Sequence, residues 1–186
     1  MTKFLLSVHV LAAIITVGPV TVAASMFPPA ARRAWATADP TADPTAMSAT
    51  GPELTVLRIL YRICVVYAAA GLLVPMFGLA TASSLGVLGE AWLIVSIVLT
   101  AAAAAVLALL VLPRQAKILA ELTARAGAGA GTTPDAAAGT APAPARTAIQ
   151  TRELTVRLAM FTGIFNLLWA VVTVLMILRP GSTTGV

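Results

Sequence analysis

Charge is what this sequence has least of. Charged residues fill 10% of its 186 positions, where soluble domains carry roughly 25%. Water cannot solvate the surface of so poorly charged a chain, and lipid must cover much of it. Histidine occurs once, at His9, and cysteine once, at Cys64. A lone cysteine excludes an internal disulfide and a cysteine-based zinc site, and a lone histidine excludes bis-histidine haem ligation within one chain. The seven acidic residues all fall outside the long apolar runs, so no carboxylate is placed mid-membrane to carry protons or cations. No catalytic triad, phosphate-binding glycine loop or metal-ligand spacing is present. These absences argue against an enzyme and make a small transporter a lesser alternative.

Apolar residues are what the chain has instead, at 59% with a mean hydropathy of +0.95. Four runs are long enough for a helix to cross about 30 Å of hydrocarbon, which takes roughly 20 residues. They are Phe4 to Phe27, Ile63 to Thr81, Ala91 to Leu112 and Leu158 to Leu178. None alternates as a barrel strand would, so helices are expected. The expectation is an all-α four-helix transmembrane bundle, a single membrane domain with helices over about 4–27, 54–82, 88–125 and 150–178. Gly18-Pro19 and Pro75 should kink the first and second helices. Val22-Ala23-Ala24-Ser25 imitates a signal-peptide cleavage site, but the run of 24 residues around it exceeds the roughly 7–15 of a signal core.

The net charge of +5 belongs to residues flanking the apolar runs, so it points to lipid headgroups and not to nucleic acid. Lys3 and Arg179 lie on one side of the four spans. Arg32, Arg33, Arg58, Arg62, Arg114, Lys117, Arg125, Arg146, Arg152 and Arg157 lie on the other. The positive-inside rule then places both long loops in the cytoplasm and both termini outside. Arginine outnumbers lysine ten to two, which hints at a GC-rich bacterium and its cytoplasmic (inner) membrane. The loops, about 28–52 and 126–147, are of low complexity: the tandem Thr37-Ala38-Asp39-Pro40 and Thr41-Ala42-Asp43-Pro44, then Ala-Gly and Ala-Pro repeats. Before those repeats, Lys117, Glu121 and Arg125 at i, i+4 spacing should support a helical extension. Glu53-Leu54-Thr55-Val56 recurs as Glu153-Leu154-Thr155-Val156, suggesting two helix-pair halves.

Polar residues in or beside the spans are the candidate functional groups, because lipid makes them expensive. His9, about six residues into the first helix, can ligate haem iron or copper, or simply bond to a neighbouring helix. Met76 and Met176 fall in the same half of the membrane as candidate sulfur ligands, although methionine there usually fills a core. Arg58 and Arg62 share a helix face and should snorkel to the interface. Glu90 can pair with Lys3 or Arg179, and Asn166 should bond across to another helix. Gly71, Gly78, Gly163 and the Ala101–Ala105 block permit close helix approach, within the chain or to a partner or second copy.

Lys3-Phe4-Leu5-Leu6-Ser7-Val8-His9-Val10-Leu11-Ala12-Ala13, followed by Val17-Gly18 and Phe27-Pro28, resembles the opening helix of a family of small bacterial predicted integral membrane proteins of unknown function. That family is more distantly similar to four-helix membrane proteins of the copper-resistance D type and to the membrane protoporphyrinogen oxidase. In the last, a first-helix histidine is associated with haem, and His9 stands at the matching place. The resemblance makes haem b or copper the candidate cofactor at His9, but the chain has none of the further histidines that such a role calls for, so no cofactor is the expectation. The residues themselves favour a non-catalytic subunit or accessory component of a larger membrane complex, a respiratory assembly among the candidates.

Overall fold

A computed structural model describes residues 2–37, 50–129 and 144–180. It is an all-α bundle of four long apolar helices, with no strand among the described residues. The four spanning helices cover Thr2–Thr37, Gly51–Leu85, Ala91–Gly127 and Arg152–Leu178. The chain is a multi-pass membrane protein. The tandem Thr-Ala-Asp-Pro repeat after Thr37 and most of the Ala-Gly and Ala-Pro stretch lie outside the described residues.

Helix α1 (Thr2–Thr37) contains Pro19, Pro28 and Pro29 and does not stop at any of them. The helix expected to end at Phe27 therefore continues for ten more residues. Packing outweighs the lost hydrogen bonds, because Ala30, Ala31 and Ala34 of that continuation are buried, Ala31 and Ala34 completely. At 36 residues α1 is about 54 Å long, well beyond about 30 Å of hydrocarbon. The bundle thus extends past the membrane at its arginine-rich end. Helix α1 is also central, packing on α2 (Thr50–Ala70), α3 (Leu73–Leu85), α5 (Leu112–Gly129) and α6 (Pro144–Leu178). Ala23, Ala24 and Phe27 at its middle are closed off from solvent and lipid. A segment built into the core in this way is a structural helix of the bundle.

The second span is two helices. Pro75 has no N–H for the carbonyl four residues back, Gly71, and its ring crowds that carbonyl. The Gly71 carbonyl accepts instead from the Val74 amide at 3.1 Å. The break accordingly falls at Gly71–Leu72, one turn before the proline that causes it. Helix α3 ends at Gly86, whose φ of 70° is left-handed and reachable without a Cβ penalty. Val87 N–H then donates to the Ala82 carbonyl at 3.2 Å and closes the end.

The third span runs from α4 (Ala91–Ala105) through a π-helical segment, Val106–Val111, into α5. The wide turn ends two residues before Pro113, the point at which a regular helix would press the proline ring on a carbonyl. Arg114 reaches back to the Leu110 carbonyl at 2.8 Å and lies 4.4 Å from the Phe161 ring centroid. The helical extension beyond Pro113 is present, and Lys117 and Glu121 approach to 4.0 Å. Arg125 does not continue that ladder; its guanidinium covers the Trp35 ring at 4.4 Å, tying α5 to the end of α1.

The two Glu-Leu-Thr-Val copies do not pack alike. Leu54 and Leu57 are buried in α2, whereas Thr155 and Leu158 are buried in α6. The buried face is displaced by one residue, about 100° around a helix, so the tetrapeptides are not structural equivalents.

Candidate functional site

Three polar side chains form hydrogen bonds across the bundle, each at a different helix seam. The first is His9. Its Nδ1 lies 2.9 Å from the Val74 carbonyl, and a carbonyl only accepts, so Nδ1 carries the proton. In the neutral ring this leaves Nε2 with a lone pair. Pro75 and the Gly71–Leu72 break set the first turn of α3, which carries that carbonyl. A Cβ at Gly78 would stand 2.9 Å from His9 Cε1, so Gly78 is glycine to admit the ring. His9 is 9% exposed and forms the lock between α1 and α3.

Met76 is two residues from both Val74 and Gly78, about 200° round the helix from each, and it is 55% exposed on the outer face of α3. Met176 lies on α6, beside Arg179, and neither sulfur is a hydrogen-bond partner of His9 among the described residues. The structure thus places the histidine at a seam and turns Met76 away from it. Toward a haem this chain offers one ligand atom, His9 Nε2. One ring nitrogen has the right tautomer, but the ring edge rests against Gly78, and neither of two surface grooves, between α1 and α6 and between α2 and α5, reaches it.

The second position is Gln115, which is fully buried and donates from Nε2 to Cys64 Sγ at 3.7 Å. Its Oε1 has no partner among the described residues. From the sequence, Gln115 was assigned no role. The spacing of Val111, Ile118 and Leu122, all fully buried, was the available signal: a stripe at that interval carries Gln115 on its face.

The third is Asn166, which bonds across helices as expected, from Nδ2 to Ser25 Oγ of α1 at 3.1 Å. Around it Ser25, Pro28, Pro29 and Arg32 of α1 face Ala159, Thr162, Gly163 and Asn166 of α6 across a groove of about 340 Å³. No family model, curated protein or solved structure matches the chain. Arg58 and Arg62 are exposed along α2, consistent with snorkelling side chains. Glu90 has no ion pair among the described residues; Arg179 instead covers the Trp92 ring at 5.6 Å. The two described ion pairs, Lys117–Glu121 and Glu153–Arg157, are exposed i, i+4 pairs of little energetic weight.

Proposed function

We propose that this chain is a non-catalytic subunit or accessory component of a larger assembly in a bacterial cytoplasmic membrane, with a respiratory complex as the first candidate. Its arginine-rich ends face the cytoplasm and both termini face outside, the orientation that the positive-inside bias favours. The observation that carries the reading is the outer face of α4. Ala101, Ala104 and Ala105 are exposed there at i, i+3, i+4 spacing, with Ala108 a turn further on. Exposed positions on the other spans include bulky chains such as Ile14, Leu167 and Ile177. A ridge of methyl groups lets another helix approach closely enough for backbone contact, and lipid tails gain nothing comparable from it. The partner is a membrane protein with a small-residue face of its own, or a second copy of the chain. Mild extraction with a tagged chain, followed by size and composition analysis of what accompanies it, tests this. A heavier complex that Ala104→Leu disperses supports the reading; a lone monomer in native-lipid particles overturns it.

A second reading is favoured by one observation, the protonated Nδ1 of His9. A carbonyl fixing one imidazole nitrogen is the arrangement that readies the other for a metal. Under this reading His9 Nε2 ligates haem b or copper, with the partner supplying the remaining ligands. A colourless, metal-free complex under oxidising and reducing conditions removes it.

A further inference from the structure

The groove between α1 and α6 has features that the partner reading does not use. Its walls are apolar and small: Pro28 and Pro29 on one side, Ala159 and Gly163 on the other. A Cβ at Gly163 would meet nothing within 4 Å, so that glycine makes room which none of the described residues fills. Thr162, 3% exposed, lines the groove with a hydroxyl lacking any partner, although a helical threonine ordinarily bonds the carbonyl one turn back. Asn166 Oδ1 is likewise buried and unpartnered. Turning that amide end for end keeps its bond to Ser25, whose hydroxyl then donates, and offers the NH₂ as a second donor. At the other end stands Arg32, exposed and without an ion pair among the described residues.

The spacing along the helices matches a particular ligand. Arg32 is seven residues from Ser25, about 10 Å along α1. The groove therefore runs from a cation at the arginine-rich membrane interface to hydroxyl and amide groups about 10 Å deeper. An anionic phospholipid has that layout: a phosphate at the surface, ester carbonyls that only accept hydrogen bonds just beneath it, then acyl chain. We propose that this groove binds one anionic phospholipid of the arginine-rich leaflet. Arg32 holds the phosphate, the glycerol backbone lies over Ala159 and Gly163, Thr162 and Asn166 donate to the ester carbonyls, and the acyl chains continue past Asn166 toward the membrane centre.

The experiment is lipid titration of the delipidated full chain in detergent, read by native mass spectrometry, with phosphatidylglycerol and phosphatidylcholine of identical acyl chains. One phosphatidylglycerol should bind, preferred over phosphatidylcholine by about fivefold, the worth of one basic residue at an anionic surface. Arg32→Gln should abolish the preference. Arg33→Gln, next to it but outside the groove, should leave the preference intact. Thr162→Val should weaken both lipids by about three- to fivefold, with monodispersity and helix content confirming the fold. Equal binding of the two lipids overturns the proposal, as does an Arg33→Gln effect as large as that of Arg32→Gln. Displacement of the lipid by soluble glycerol 3-phosphate also overturns it, because the ligand would then be a water-soluble phosphate ester. A chain that proves monomeric but still discriminates between the lipids leaves this proposal standing while the subunit reading fails.

Discussion

Gly78 and His9 illustrate how one side chain in lipid dictates its neighbour. An imidazole in a membrane must find a hydrogen-bond partner, and here it is the Val74 carbonyl on another helix. Reaching it brings the ring against α3 at Gly78, where a methyl group would stand 2.9 Å from Cε1. Gly78→Ala should thus destabilise the bundle by about 1–3 kcal/mol through overpacking. In the double variant with His9→Ala the penalty of the alanine should largely vanish, as measured by thermal unfolding in detergent. Arg114 makes two contacts with one planar group, the Leu110 carbonyl and the Phe161 ring. Arg114→Met keeps the length of the stem and loses both, and should cost about 1–2 kcal/mol in the same assay.

Elements in this protein are defined by the seams they share more than by their punctuation. Pro28-Pro29 would end a helix in water, yet α1 passes through because Ala30, Ala31 and Ala34 are buried beyond it. That continuity has a sharp consequence. One alanine inserted after Met26 rotates everything downstream by about 100°, carrying Phe27, Ala31 and Ala34 off the core. The yield of monodisperse protein should collapse. The same insertion after Ala36, past the last fully buried position, should leave it near wild type. In the third span, the π segment before Pro113 absorbs the misfit of the proline while Val111, Ile118 and Leu122 stay on the buried face.

The molecule presents many large apolar side chains outward and buries several alanines at its seams, as expected where lipid, not water, surrounds the bundle. Ile177 and Leu109 are 74% and 70% exposed, while Ala24, Ala31, Ala34 and Ala103 are fully buried. Small residues inside let the helices approach, and dispersion contacts supply what the hydrophobic effect cannot between helices in hydrocarbon. Topology is the property to test at this scale. In a Cys64→Ala background, Arg33→Cys and Arg152→Cys should react with a membrane-impermeant thiol reagent only after the cells are opened. Lys3→Cys should react in intact cells. The reverse pattern would invert the orientation and the leaflet assigned to the α1–α6 groove.

Four spans, their helical class and their order were legible in the sequence, because hydrocarbon thickness and backbone pairing impose requirements that run length and hydropathy satisfy residue by residue. Asn166 was legible too, since an amide at that depth needs a partner helix. What the tertiary structure alone decided is which residues meet: His9 with Val74 and Gly78, Gln115 with Cys64, Thr162 with a gap that none of the described residues fills. The physical reason is that lipid exposure and helix burial both call for apolar residues, so hydropathy cannot tell the two faces apart. Only the packing separates a lipid-facing leucine from a core one, or shows that the helix continues through two prolines because its far end is buried.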